Sequence, residues 1–420
     1  MIEGIDTIPA MFQHSDALPL EDSLVRLRHA LHREPELGLD LPLTQRRVLD
    51  ALAGLPLEIT PGKGLSSVTA VLRGGRPGPA VLLRGDMDAL PVQEDSGLPY
   101  ASRFPGRMHA CGHDLHTAGL VGAAQLLAAR REELAGDVVL MFQPGEEGMR
   151  GAHLMIEEGV LDAAGGRVVA AYALHVTSTL LPTGFAAVRP GPMLAASDAV
   201  TVRVGGAGGH GSTPHSAQDP VPAVCAMVTA LQTMVTRTVD IFDPAVVTVG
   251  SLHAGSAGNV IPEHAEFEAT VRTFSPETQA RVRAGIERTV RGVAAAHGVD
   301  VDVDYRENYP VTVNDPREAA FALRTAQDLL GTDRAFEAPR PLTGSEDFSF
   351  VLREVPGAYV GVGACPPDAD PATAPMNHSP RAVFDDRAVL DAAVLLAELA
   401  ARRLQFAGEL VTEPVTEEGA

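Results

Sequence analysis

Cysteine is scarce in this sequence: Cys111, Cys225 and Cys365 are the three in 420 residues. So sparse and odd a set argues against a disulfide framework and leads to the expectation of a reducing, cytoplasmic compartment. Basic residues are also in deficit, 33 against 54 acidic ones, for a net charge of −21. Nucleic acid and anionic membranes repel such a surface, and no basic stripe offsets it, so neither is expected as a partner. No apolar run reaches the roughly 18 residues a spanning helix needs. The opening segment, MIEGIDTIPAMFQHSDALPL, has neither a basic start nor a continuous apolar stretch and does not read as a signal peptide. Low-complexity linkers and internal repeats are absent. The 41 glycines and 32 prolines are dispersed, as many turns require.

What is present is a chain long enough for two domains and 45% hydrophobic, enough to bury a large core. EDSLVRLRHALHREPEL (21–37) spaces its leucines as an amphipathic helix that stops near Pro35. Its His29 and His32 read as surface or packing residues. SSVTAVLRG, PAVLLRGDMDALP, GDVVLMFQPGEEG (136–148) and GRVVAAYALHV (166–176) read as strands, and 114–134 as a helix with Asp114 as its N-cap. Alternating strands and helices with nearly all-apolar strand interiors predict a mainly parallel sheet covered on both faces. From about residue 195 the rhythm becomes βαββαβ, a split-βαβ unit to about 307, after which the α/β rhythm resumes. The expected division is 1–194 and 308–408 as two parts of one α/β domain, 195–307 as an inserted smaller domain, and 409–420 as a frayed acidic tail.

In open α/β sheets ligands gather at the carboxyl ends of the strands. Asp86 and Asp88 follow one predicted strand, Glu146 and Glu147 another, and His175 ends a third. Cys111 and His113, in MHACGHDLHTAG, precede a helix, and His378, in MNHSP, follows a late strand. Imidazole, thiolate and carboxylate suit zinc and its neighbours manganese and cobalt. One ion needs about four ligands, whereas Cys111, His113, Glu147, His175 and His378 supply five. The surplus is natural if two divalent ions share a bridging ligand and a water of lowered pKa. One of the adjacent glutamates then coordinates while the other serves as base; spacing does not say which. Each piece also has a bland reading: a solvated Glu–Glu pair, a packing cysteine, aspartates that cap a loop. Cys111 with a nearby histidine also fits a cysteine hydrolase, which leaves Glu147, His175 and His378 unexplained.

MHACGHDLHTAG, FQPGEEG, ALHV, GGHGSTPH, GNVIPE and GSEDFSF, in this order and with LRHALHREPELG and RGDMDALPVQE before them, resemble the aminoacylase, hippurate hydrolase and auxin-conjugate hydrolase family of dinuclear-metal amidohydrolases. The resemblance spans about 23–400. It implies a zinc-peptidase-like α/β domain whose mixed sheet is sandwiched by helices, with an inserted ferredoxin-like lid that makes a homodimer or higher homo-oligomer. It implies two divalent metals held by Cys111, His113, Glu147, His175 and His378, with Cys111 at or near the bridge, Glu146 as general base and Asp88 supporting the ligands from behind. It further implies that His210, reaching from a partner subunit, steadies the oxyanion. Asn259 and Arg272 would grip a substrate carboxylate, while Gly344 and Ser345 would line the substrate loop. For His210 the alternative is a turn histidine, and for Arg272 a structural ion pair. Gly145 stands where many members have alanine, a change expected to be harmless. The implied activity is hydrolysis of N-acyl amino acids. Dipeptidase, carboxypeptidase or N-acetyl-diaminopimelate-type deacetylase activity, or a non-catalytic metal-dependent binding protein, are the alternatives.

Overall fold

The computed structural model describes residues 10–406, so the acidic tail lies outside the described residues. The chain forms two compact units. The first comprises Met1–Gly191, Val313–Arg340 and Phe350–Ala420; the second comprises Pro192–Thr312 and Pro341–Ser349.

The chain opens with helices α1 (His14–Ala17), α2 (Glu21–Arg33) and α3 (Pro42–Leu52). Strands β1 (Leu57–Pro61), β2 (Val68–Leu72) and β3 (Arg76–Asp86) follow, then helix α4 (His113–Ala129). Next come β4 (Ala135–Gln143), α5 (Gly151–Glu157), β5 (Ala170–Pro182), β6 (Ala186–Val188) and β7 (Gly191–Leu194). The second unit holds β8 (Ser197–Gly205), β9 (Gly209–His210), α6 (Pro220–Thr238), β10 (Ala245–Ala254), β11 (Val260–Ile261), β12 (His264–Thr273), α7 (Pro276–His297) and β13 (Asp300–Tyr309). The chain closes with β14 (Thr312–Asn314), α8 (Pro316–Leu330), β15 (Ala335–Glu337), α9 (Ser349–Glu354), β16 (Gly357–Cys365) and α10 (Ala388–Gln405).

The first unit is built on an eight-stranded sheet in the order β1-β2-β4-β3-β5-β16-β6-β15. Its middle, β4-β3-β5-β16, is parallel, and these are the strands whose apolar residues run almost without interruption. Antiparallel pairs β1–β2, β2–β4 and β16–β6 flank them and β15 pairs with β6 in parallel, so the sheet is mixed, with the parallel pairs at its centre. Helices α4 and α10 are buried nearly all round. They approach closely because both are rich in small residues. A Cβ on Gly119 would stand 2.8 Å from Ala392 Cβ, and one on Gly122 2.7 Å from Ala393 Cβ. Helix α4 begins one residue earlier than the sequence suggests. Its N-cap is Gly112, in the left-handed region, and Asp114 lies inside the first turn with its carboxylate turned to Arg28 and His32. Helix α2 stops at Arg33, short of Pro35.

The second unit has a four-stranded antiparallel sheet in the order β10-β12-β8-β13. Strand β12 alternates buried and open positions, as a sheet with one covered face requires. Val202, Phe267 and Val271 from the sheet meet Met227 and Leu231 of α6 and Ile286 and Val290 of α7 in a core of their own. Segment Pro341–Ser349, far along the chain, also belongs to this unit.

Candidate metal centre

The parallel register sets the rim. Asp86, the last residue of β3, pairs with Gln143, the last of β4. Arg84 pairs with Ala173 of β5, which places His175 level with Asp86. His175 does not end its strand, as the sequence had suggested. Strand β5 runs on to Pro182, well past the end of β3 and level with Cys365, the last residue of β16. Beyond β4 the chain turns at Gly145, whose φ is +71° and where a Cβ would meet Leu39 Cδ2 at 2.4 Å. Glycine is therefore what this turn requires, and alanine here would not be neutral. Asp88 fixes the next two residues: its Oδ1 accepts from the Glu146 N–H and its Oδ2 from the Glu147 N–H, both at 2.9 Å.

Backbone carbonyls aim the rings of His113 and His175 and hold the main chain of His378. His113, at the start of α4, donates from Nδ1 to the Asp88 carbonyl at 2.8 Å, since a carbonyl can only accept. Its Nε2 is buried and makes no hydrogen bond. His175 likewise donates from Nδ1 to the Val176 carbonyl at 2.7 Å, and its Nε2 lies 3.2 Å from Cys111 Sγ. The His378 N–H donates to the Ala110 carbonyl at 2.8 Å, and His378 has φ +72°, unusual for a residue with a side chain. Its Nε2 stands 3.2 Å from Glu147 Oε1, in a geometry that makes no hydrogen bond.

The ligand-type atoms of Cys111, His113 and His175 lie within 4.8 Å of one another, as do those of Cys111, Glu147 and His378, and those of His113, Glu146 and Glu147. The sequence-derived five are thus brought together as overlapping groups that share Cys111, with Glu146 adjoining. These donors fit a pair of borderline cations. There is one sulfur for both groups, the imidazoles of His113 and His175 are oriented by backbone carbonyls, and two buried polar atoms, His113 Nε2 and Glu147 Oε1, make no hydrogen bond.

The electrostatics agree. Burial pushes the Cys111 thiol up, but the imidazoles of His175 and His113 outweigh it and hold the group well below the ordinary thiol range. Burial raises Glu147. His378 is pushed up to about 10 by its interactions with Cys111 and Glu147. Protons on these imidazoles do the charge balancing that cations would do.

Asp86, His113 and His116 also converge, but this group is occupied from within. His116 Nε2 accepts from the Val176 N–H at 2.8 Å, so its Nδ1 carries the proton and donates to Asp86 at 2.5 Å. Arg84 holds the other Asp86 oxygen at 2.6 Å. His116 was missed in the sequence, although its position three residues after His113 on one helix was a usable signal. Asn377 was missed too, with no spacing signal to find it.

The remaining candidates belong to the second unit. His210, on β9, is exposed; its Nδ1 accepts from the Ser212 N–H at 3.1 Å, which leaves Nε2–H free to donate outward. Strand β9 pairs with β11, and the Asn259 carbonyl accepts from the Gly211 N–H at 2.9 Å, so His210 and Asn259 share one tip. Arg272, on β12, has a buried Nη1 without a hydrogen bond and no ion pair among the described residues, and burial lowers its pKa. The Gly344 carbonyl accepts from the Ala195 N–H at 2.9 Å, and Ser345 follows it, half-buried.

A helix-flanked α/β sheet whose strand ends gather thiolate, imidazole and carboxylate donors around paired positions defines a metal-dependent hydrolase. The chain belongs to peptidase family M20/M25/M40, whose model matches residues 82–402. It is 35% identical over 353 residues to thermostable carboxypeptidase 2 of Saccharolobus solfataricus, covering 83% of this chain and 88% of that one. It is 36% identical over 391 residues to the N-acetyl-L-cysteine deacetylase of Bacillus subtilis, covering 92% and 89%. Among solved structures, a Bacillus subtilis dinuclear metal binding peptidase of the M20 family superposes with a TM-score of 0.79 at 32% identity, covering 92% of this chain and 99% of that one.

Proposed function

We propose that this chain is a metal-dependent amidohydrolase that cleaves the amide of N-acyl amino acids, whether acetyl, benzoyl or similar conjugates. The observation that carries the reading is the convergence of Cys111, His113, Glu147, His175 and His378, with Glu146 beside them. The five would hold the metals, Cys111 being common to two of the donor groups, and zinc, manganese or cobalt would suit the set. Bound there, two such cations bring the pKa of a water towards about 7 and polarise the amide carbonyl. Glu146 takes the proton of the attacking water and hands it to the leaving nitrogen, so that amide and water become a carboxylic acid and a free amino acid. Asp88 keeps the two glutamates apart by holding both their N–H groups. His210 donates from Nε2 to the oxyanion, reaching from the partner subunit of a homodimer. The Arg272 fork, unpaired in its own unit, grips the substrate carboxylate with Asn259, and Gly344 and Ser345 line the substrate.

In this reading 1–194 and 308–408 form the catalytic domain, and 195–307 is a ferredoxin-like lid and dimerisation domain. Supporting the last point, the strand order β10-β12-β8-β13 carries two helices in a βαββαβ sequence. The three free cysteines suit a cytoplasmic protein, and among the described residues no helix is long and apolar enough to cross a membrane. A second reading, carboxypeptidase, has support from the name of the Saccharolobus relative; a peptide's last residue is itself an N-acyl amino acid.

The test is hydrolysis of N-acetyl, N-benzoyl and indoleacetyl amino acids and of dipeptides, before and after chelation. Activity should vanish with the metal and return with added zinc, manganese or cobalt. Glu146→Ala should keep both ions and lose about 10²–10⁴ in turnover. Activity that survives chelation would favour the Cys111–His175 pair as a nucleophile and base instead.

A further inference from the structure

Building on the metal-centre reading, we propose that Asn377 is a positioning residue that locks the segments bearing three of the five ligands, Cys111, His175 and His378, into one arrangement. Its carboxamide Nδ2 donates to the Cys111 carbonyl at 3.2 Å and to the Val176 carbonyl at 3.0 Å. Its Oδ1 accepts from the Ser178 N–H at 3.0 Å. The Ser178 hydroxyl shares its proton between the Pro375 carbonyl at 2.8 Å and Asn377 Oδ1 at 3.1 Å. Both N–H groups and both acceptor positions of the amide are therefore used, and carbonyls on one side with an N–H on the other fix which way it faces. Nδ2 also lies 3.9 Å from Cys111 Sγ, within reach of the thiolate.

The partners matter because of where they sit. Cys111 is a proposed ligand, Val176 and Ser178 follow His175 on β5, and Asn377 precedes His378. Between β16 and α10 the chain has no helix or strand of its own, so nothing periodic holds His378. His378 is moreover kept in the left-handed region, a conformation that persists only when its surroundings over-determine it. The Asn377 amide, with the His378 N–H on the Ala110 carbonyl, supplies that constraint. The ligands would otherwise pay for being assembled at the moment of metal binding; here one amide has assembled them beforehand.

The test is cobalt titration of the apoprotein, read by thiolate-to-cobalt charge-transfer absorption, for wild type, Asn377→Leu, Ser178→Ala and Asn314→Leu. Asn314 is the control. Its amide makes the same kind of cross-link, to the carbonyls of Arg189 and Tyr359 and the N–H of Tyr359, at 2.9, 3.1 and 2.7 Å. Asn377→Leu should weaken cobalt affinity about 10–100-fold, the usual cost of losing an outer support. Ser178→Ala should shift it less in the same direction, and serves alone if the leucine variant does not fold. Asn314→Leu should lower the melting temperature and leave cobalt affinity unchanged. If Asn377→Leu and Ser178→Ala bind cobalt as wild type does, or if affinity merely tracks melting temperature across all variants, Asn377 is structural only and the proposal is overturned. Failure of the wild type itself to bind cobalt would instead overturn the metal-centre reading beneath it.

Discussion

His32 shows what a single buried residue contributes to holding the centre. Its Nδ1 lies 2.9 Å from Asp114 and its Nε2 3.2 Å from Glu94, and the three side chains are almost fully enclosed. With a carboxylate at each nitrogen the ring carries both protons. Burial opposes that charge, but Asp114 and Glu94 outweigh it and push the pKa up to about 9. A raised pKa gives stability that is complete below the unfolded value near 6.5 and is lost as pH rises through about 9. A shift of this size is worth on the order of 3 kcal/mol. His32→Gln should therefore destabilise strongly at pH 6 and progressively less towards pH 9.5, measured by denaturant unfolding across that range. A gap that stays constant with pH would mean the ring is neutral in the fold. The sequence pointed to His32 as a surface or packing residue and hid its charge, because Asp114 is 82 positions away. That Cys111, His113, Glu147, His175 and His378 would come together was legible, since thiolate, imidazole and carboxylate at strand ends are distinctive types. His116 and Asn377 were less so, because what they grip is backbone: the Val176 N–H, the Cys111 and Val176 carbonyls.

At the level of elements, the apolar runs of the central strands and the long helices could be read directly, whereas short strands such as β6 and β15, the last two of the sheet, could not. Three residues carry too little pattern, and their pairing depends on neighbours distant in the chain. The entry to α4 was misread for a related reason. Asp114 looks like an N-cap locally, but Arg28 and His32 claim its carboxylate, and the cap falls to Gly112 between two proposed ligands. Gly112 has φ +83°, and a Cβ there would stand 2.5 Å from Val176 Cγ2 and 3.2 Å from Phe384. Val176 adjoins His175, so relieving the clash would move one proposed ligand segment against the other. Gly112→Ala should cost about 2–4 kcal/mol, combining left-handed strain with overpacking. It should also weaken cobalt binding, whereas an alanine at Gly165, equally left-handed but with open space around it, should cost only the strain. Equal losses for the two variants in urea unfolding would show that packing at Gly112 is not the reason for glycine there.

For the whole molecule, the consequence of scattering is thermodynamic. The proposed ligands run from Cys111 to His378, yet all belong to the first unit, whose core is separate from that of the second. Cations that bind the folded unit and not the unfolded chain stabilise it by an amount set by mass action, about 4 kcal/mol at a thousandfold excess over Kd. Chelation should therefore release the first unit while leaving the second as it was. Native-state hydrogen exchange tests this amide by amide. With chelator, protection should fall in the strands and helix that frame the centre, β3, β5 and α4, by up to about a thousandfold. Amides of β8 and β12, in the sheet of the second unit, should exchange at unchanged rates. The asymmetry separates metal as a structural clamp on one unit from a general effect of chelator or ionic strength on a chain of net charge −21, which would act on both units alike. Loss of protection spread evenly over both sheets would mean that the two units unfold as one, and that the metal's stabilising reach extends beyond the unit that holds its ligands.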